Sequence, residues 1–147
     1  MPFTEANFEN AILEIFRDLL GYEYLYGPDV VRDFAEPLCL EILEDALVRI
    51  NPSLPRAAID EAIARIRNIE SGSLARKNAR FTDMLQNGVA VNYFDGSEQR
   101  AELVRLVDYD LPMRNRFTVA NKWTVEERSV RRADIVVFVN GLPLVVV

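Results

Sequence analysis

Apolar residues recur every three or four positions over the first 87 residues, which is the spacing of amphipathic helices. A first helix is predicted over residues 4–20, with Thr4 as its N-cap and Gly21 at its end. Three more helices, each bounded by residues suited to a helix end, are predicted over 37–50, 55–69 and 73–87. The stretch 21–29, rich in tyrosine and glycine, is predicted to be an extended link or a short hairpin.

After Gly88 the apolar positions alternate with polar ones, which predicts β-strands. These strands are predicted at 89–94, 101–109, 116–125, 133–139 and 142–147. Asp95-Gly96 and Asn140-Gly141 are the residue pairs that tight hairpin turns favour. Helices over about 4–87 therefore precede strands over about 89–147, and the fold class is α+β.

The last two strands are apolar on both faces, which predicts a mixed sheet buried between helices, with the first helix covering one face. No polar turn or cap follows the apolar run that ends at Val147. We therefore expect a single domain region, 1–147, that is truncated at its C-terminal end.

The composition fits one globular domain, because half of the 147 residues are hydrophobic and the net charge is only -6. The single Cys39 cannot form an internal disulfide, and the first residues lack the pattern of a signal peptide. No apolar stretch is long enough to cross a membrane. We expect a cytoplasmic protein without a membrane partner.

The sequence contains no histidine, which excludes Ser-His-Asp and Cys-His catalysis and ordinary catalytic zinc sites within it. Any chemistry must use carboxylates, lysines or hydroxyl groups. The acidic balance argues against DNA binding over the whole surface, although a local basic stripe remains compatible with it.

Asp134 lies at the start of an apolar strand, after a basic run. A carboxylate at a strand end can project into a cleft and bind a hard cation such as Mg²⁺ through its oxygens. The alternative is that Asp134 caps the strand or pairs with a neighbouring arginine. The residue type alone favours the alternative.

Two acids of the first helix, Glu5 and Glu9, fall on the same side as its apolar stripe. Burying a carboxylate costs several kcal/mol unless it is paired or bound to a metal. Glu5 is in the first turn, where a solvated acid favours the helix dipole. For Glu9, a role at a metal site and a structural salt bridge both remain open.

Basic residues with two aromatic neighbours, Phe117 and Trp123, are concentrated before Asp134. These basic residues are Arg114, Arg116, Lys122, Arg128, Arg131 and Arg132. The combination suits a surface that contacts DNA phosphates, and an ordinary exposed hairpin would look similar.

The segment 115–147 is similar to the nuclease core of the restriction (R) subunit of type I restriction-modification enzymes. That family has an N-x-F-x-V-x-N-Q-aromatic stretch, then R-R-P-D, an apolar strand, VNGLPL and a strand ending in Glu-x-Lys. Asp134 and the segment 140–144 match this pattern. Lys122 replaces the usual glutamine and Ala133 the usual proline, and the Glu-x-Lys is expected directly after Val147.

Weaker similarity to the same family extends upstream, through LGYEY, INPSLP, NGVAV and LVDYDLPMRN. The resemblance implies a restriction-endonuclease-like PD-(D/E)xK core with extra N-terminal helices. It also implies Mg²⁺-dependent hydrolysis of DNA phosphodiesters, with Asp134 and Glu9 as catalytic and metal-binding residues. A fragment without Glu-x-Lys is expected to be inactive alone.

By the same resemblance, the partners are DNA and the modification and specificity subunits. ATP-driven translocation would belong to motor domains elsewhere, since the sequence has no G-x-x-x-x-G-K-[ST] loop. Three alternatives remain open at this point. They are another nuclease of the same fold in repair or restriction, a non-catalytic docking or DNA-holding module of that fold, and an unrelated α+β binding domain.

Overall fold

The computed structural model describes residues 2, 4–30, 32, 33, 35–69, 73–126 and 130–147, without the side chain of Arg131. The chain divides into two compact units, each described by itself. Unit 1 comprises Met1–Leu40 and Arg116–Val147, and unit 2 comprises Glu41–Asn115.

Unit 1 contains one helix and a four-stranded sheet. Its elements are α1 (Glu5–Glu14), β1 (Glu23–Tyr26), β4 (Phe117–Glu126), β5 (Val130–Val139) and β6 (Leu142–Val146). The strand order is β1-β4-β5-β6, in which β1 is parallel to β4 and the other pairs are antiparallel. The sheet is therefore mixed, as predicted.

Helix α1 begins at the predicted cap, where the hydroxyl of Thr4 accepts a hydrogen bond from the N–H of Asn7 at 3.2 Å. A π-helical turn, Ile15–Leu19, follows, and the chain leaves it at Gly21 with φ +72°. Leu13 packs with three strand residues, and the partly buried Ile12 and Phe16 extend this core. The three strand residues are Val119, Ile135 and Val137. The prediction that this helix covers one face of the sheet is confirmed.

Unit 2 contains α3 (Arg56–Arg67), α4 (Leu74–Asn87), β2 (Val89–Phe94), β3 (Gln99–Val104) and most of α2 (Leu40–Ile50). Helices α2 and α3 bury one apolar stripe each, and α3 packs on the β2–β3 hairpin. Helix α4 has the predicted bounds, with the Ser73 hydroxyl as its N-cap and Gly88 after its end. All four predicted helices are present, and the α+β class is confirmed.

The structure differs from the predicted order of elements in two places. Residues 23–26, predicted as a link or short hairpin, form β1, which pairs with a strand more than 90 residues later. The hairpin of β2 and β3 forms its own two-stranded sheet, and β3 ends at Val104 instead of 109. The backbone beyond it turns around the carboxylate of Asp108, which accepts hydrogen bonds from the N–H groups of Asp110 and Leu111.

The last strand, β6, is an edge strand, since β5 is its only neighbour among the strands that the structure describes. Leu142 is buried, but Val146 is 69% exposed, and Leu144 and Val145 are exposed as well. The prediction of burial on both faces is therefore wrong for β6, whereas 135–138 of β5 are buried. Within the described ranges, no helix is long and apolar enough to span a membrane.

Candidate functional site

Asp134 lies in β5, between the cross-strand pairs Trp123–Ala133 and Asn121–Ile135. Its side chain is exposed. It makes no hydrogen bond or ion pair with any residue that the structure describes. Of the basic run before it, Arg132 does not pair with Asp134, and Arg128 and the side chain of Arg131 lie outside the described residues.

Lys122 occupies the β4 position across from Asp134. The paired positions of β4 and β5 include Asn121–Ile135 and Trp123–Ala133, but the intervening residues, Lys122 and Asp134, are not paired. The backbone of Lys122 is left-handed there, with φ +51°, which interrupts the regular pairing. Lys122 is half-buried, and like Asp134 it makes no hydrogen bond or ion pair with a described residue.

The irregular backbone at Lys122 is held from one side by Gly27. A Cβ atom at Gly27 would overlap the carbonyl oxygens of Asn121 and Lys122. The absence of a side chain therefore lets the short 3-10 turn Gly27–Asp29 pack directly on the β4 backbone.

Arg32 contacts the same part of β4, on the C-terminal side of Lys122. Its guanidinium lies 3.6 Å from the ring centroid of Trp123, donates to the carbonyl of Thr124 and donates to the carbonyl of Glu36 at 2.9 Å. Burial lowers the pKa of Arg32, which the neighbouring acids Asp33 and Glu36 offset in part. Sequence reasoning missed Arg32, because no local pattern links it to a strand 90 residues away.

Trp123 belongs to the core, and so the aromatic residues of the predicted DNA surface do not act there as predicted. Trp123 is 1% exposed and meets Phe138 edge-on, with ring centroids 4.9 Å apart. Phe117 is half-buried against Tyr22. Both aromatic positions are explained by packing.

Glu9 is half-buried, and its carboxylate accepts a hydrogen bond from the side-chain amide of Asn121 at 3.3 Å. The side-chain oxygen Oδ1 of Asn121 in turn accepts from the hydroxyl of Tyr24 at 2.8 Å. The acid is therefore held by a buried amide rather than by the salt bridge that was one of its two predicted roles. Glu5 is exposed, as expected for an acid in the first turn.

Glu9 reaches the sheet at Asn121, whose partner on β5 is Ile135, the residue after Asp134. Ile135 packs against α1, on the face where Glu9 contacts Asn121. The assignment of Glu9 to the metal site stays a prediction. Among the described residues, no cluster of three or more Asp, Glu, Cys or His side chains could hold a metal.

The predicted DNA-contact residues have different environments. Arg116 is half-buried, and its Nε donates to Glu23 at 2.8 Å. Arg132 is exposed on β5, opposite Thr124. Arg128 and the side chain of Arg131 lie outside the described residues. Lys122 and Arg132 are thus the predicted cations closest to Asp134 in the register.

The turn between β5 and β6 is held by Asn140, which is fully buried and has φ +53°. Its side-chain oxygen accepts from the N–H of Arg116 at 2.7 Å, and its own N–H donates to the Arg116 carbonyl at 2.7 Å. The N–H of Cys39 donates to the carbonyl of Gly141 at 2.9 Å. These bonds fix the Asn-Gly turn that the sequence predicted.

Residues 2–147 match the protein family described as the type I restriction enzyme R protein N terminus. The chain belongs to this family. The chain is 37% identical to the type I restriction enzyme HindI endonuclease subunit of Haemophilus influenzae, over 97% of this chain and 14% of that protein. It is 29% identical to the putative type I restriction enzyme MjaIXP endonuclease subunit of Methanocaldococcus jannaschii, over 94% of this chain and 14% of that protein.

The R protein N terminus thus spans about one seventh of the length of these relatives. The family match confirms the resemblance that the segment 115–147 carried, and it extends over the N-terminal helices as well. It agrees with the α+β architecture of the two units.

Proposed function

We propose that this chain is the nuclease region of a type I restriction enzyme, which hydrolyses the phosphodiester backbone of double-stranded DNA. The observation that carries the proposal is Asp134, an exposed carboxylate without a described partner, in the middle of a fixed strand register. An exposed acid that pairs with none of the described side chains can serve as a metal ligand.

The β5–β6 register supports a second ligand beside Asp134. Val137 pairs with Val145 and Val136 with Val146, and the N–H of Val147 donates to the carbonyl of Ile135 at 2.9 Å. Continued by one residue, this register puts the residue after Val147 opposite Asp134. Directly paired residues on neighbouring strands share a face. The glutamate of the expected Glu-x-Lys would thus lie beside Asp134.

Two neighbouring carboxylates and a substrate phosphate are a donor set that suits Mg²⁺, which prefers oxygen ligands. When bound, Mg²⁺ supplies a Lewis acid that polarises the phosphate and lowers the pKa of a bound water. Asp134 would hold the ion, and the exposed Arg132 would contact the phosphate backbone. Lys122 would contribute a positive charge on the strand next to Asp134. Glu9 is proposed to adjust the site through Asn121.

In the whole protein, cleavage is proposed to be coupled to ATP-driven translocation by motor domains outside this chain. The proposed partners are DNA and the modification and specificity subunits, in the cytoplasm. The chain covers 14% of the length of each of these two relatives, which is consistent with motor domains elsewhere in the whole protein.

The test is Asp134→Asn in the full-length R subunit, assembled with its partners and supplied with Mg²⁺ and ATP. DNA cleavage is expected to fall at least about 100-fold while ATP hydrolysis is retained, since a neutral amide is a poor Mg²⁺ ligand. Glu9→Gln is expected to cause a smaller loss. Asp18→Asn, at an exposed acid beyond α1, is the matched control and should leave both activities unchanged.

If Asp134→Asn cleaves DNA at the wild-type rate, Asp134 is not a residue of the catalytic site. If the wild-type assembly hydrolyses ATP and binds DNA but never cuts it, the non-catalytic DNA-holding module of the same fold replaces the nuclease. These two results are distinct, because only the second concerns the wild-type protein.

A further inference from the structure

A second group of basic residues lies in unit 2, away in sequence from Asp134. Residues 62–82 contain five of the 17 basic residues of the chain and a single acid, Glu70, in a protein of net charge -6. The five, which we call the α3–α4 basic surface, are Arg65, Arg67, Arg76, Lys77 and Arg80, and all are exposed. The local charge is thus opposite in sign to that of the whole chain.

The basic residues of α4 lie on one side of the helix. At 100° per residue, Arg76, Lys77 and Arg80 fall within an arc of about 100°. The half-buried Phe81 and Leu85 lie on the neighbouring arc, and the carbonyl of Leu85 accepts from the Tyr109 hydroxyl at 2.8 Å. The apolar side of α4 therefore faces the protein, and its basic side faces solvent.

A cavity of about 380 Å³ lies between α3 and α4. Arg65 lines it from α3 and Arg80 from α4, beside Asn68 and Met84. Glu61 also lines this cavity and accepts from Arg65 at 3.2 Å, whereas Asp83 accepts from Asn87 at 2.7 Å. Two guanidinium groups on opposing walls are suited to an anion with several oxygens, such as a phosphate.

We propose that the α3–α4 basic surface binds the phosphodiester backbone of duplex DNA outside the cleavage site. The choice of DNA as the polyanion rests on the proposed function. The surface carries several arginines and a lysine but no exposed aromatic side chain, which suits phosphate contacts without base reading. A membrane surface fits less well, because an interfacial helix must present its apolar side to lipid, and Phe81 and Leu85 are half-buried.

The experiment measures binding of the purified protein to a fluorescently labelled 20-base-pair duplex of arbitrary sequence, by anisotropy, without Mg²⁺ or ATP. The variant is Arg76→Glu with Lys77→Glu, two exposed side chains for which the structure gives no hydrogen bond or ion pair. The Kd is expected to rise about tenfold or more. The slope of log K against log salt concentration should become shallower by about 2, one for each lost phosphate contact.

The matched control is Arg17→Glu with Arg56→Glu, which changes the net charge equally at sites outside the surface. It should retain the wild-type salt slope, and melting curves should show that both double variants are folded. Equal weakening by the control would overturn the proposal, since net charge alone would then explain the effect. Binding to anionic phosphatidylglycerol vesicles in preference to DNA would overturn it as well.

The assay is independent of cleavage, because it is made without Mg²⁺. Loss of binding in the Arg76 and Lys77 variant together with normal cleavage by Asp134→Asn would uphold the DNA surface and reject the catalytic assignment. If the Arg76 and Lys77 variant binds DNA like the wild type and Asp134→Asn loses cleavage, the DNA surface is rejected and the catalytic assignment is upheld.

Discussion

Gly27 lies against the main-chain carbonyl of Lys122, so close that a Cβ atom at position 27 would overlap it. Lys122 has a left-handed backbone and occupies the strand position across from Asp134. A left-handed conformation in a residue with a side chain is strained and persists only where its surroundings impose it. The turn at Gly27 is one such support, and it thereby helps to determine which residues lie next to Asp134.

Gly27→Ala should destabilise the protein by roughly 1–3 kcal/mol, because the added methyl group must displace the β4 backbone. Gly21→Ala is the matched control. Its methyl group would meet nothing within 4 Å, and its cost of about 1 kcal/mol would come from φ +72° alone. Urea denaturation measures both free energies of unfolding. A smaller loss for Gly27→Ala than for Gly21→Ala would contradict the close packing against β4.

Lys122→Gly should be more stable than Lys122→Ala by about 1 kcal/mol. Glycine relieves the cost of roughly 1–2 kcal/mol for φ +51°, and the greater entropy of glycine in the unfolded chain offsets part of the gain. Both variants lack the ammonium group and should bind DNA equally weakly. Thermal and urea unfolding test the first expectation, and equal stability of the two variants would show that the strain is not significant.

Asn140→Ala should cost roughly 2–4 kcal/mol. It leaves the N–H of Arg116 without its acceptor and puts alanine at φ +53°. Asn140→Gly loses the same acceptor without the backbone strain, and should cost about 1 kcal/mol less. Asn92→Ala, at an exposed position of β2, is the control and should stay within about 0.5 kcal/mol of the wild type. Equal free energies of unfolding for the alanine and glycine variants at 140 would show that the left-handed backbone there causes no strain.

Asp95→Asn should destabilise the protein at neutral pH and lose its effect in acid. Arg100 lowers the pKa of Asp95, and the N–H groups of Glu98 and Ser97 lower it further. The ionised form therefore stabilises the folded state above the ordinary aspartate pKa of about 3.9, and this contribution is lost as the pH falls through and below that value. Chemical denaturation between pH 7 and pH 3 measures whether the free energies of unfolding of the wild type and Asp95→Asn converge as the pH falls. Arg100→Gln keeps the backbone hydrogen bonds and should show a smaller version of the same trend.

The elements that could be predicted from the sequence are those whose causes are local. Thr4 and Ser73 cap their helices because a hydroxyl reaches an N–H three residues later. Gly88 ends α4 and is left-handed there, and the alternating run 89–94 forms β2 with the predicted bounds. Periodicity and capping depend on a few neighbouring residues, and they therefore survive in any tertiary context.

The arrangement of the sheet could not be predicted in the same way. The pairing of Tyr24 with Val119 joins residues 95 positions apart, and nothing near Tyr24 marks it as a strand residue. The contacts of Arg32 with Trp123 and of Glu9 with Asn121 likewise depend on strands that meet only in the folded chain. Side-chain pattern predicts which way a strand faces, but not which strand will lie beside it.

Asp134 shows both what the sequence determines and what the tertiary structure determines. The sequence by itself identified it as an acid at the start of an apolar strand, within a motif specific enough to name the family. The tertiary structure decided its neighbours, with Lys122 across from it in β4 and Glu9 bound to Asn121, the partner of Ile135. The physical reason is that a motif records residues that are consecutive, whereas the environment of a carboxylate depends on register and packing between distant segments.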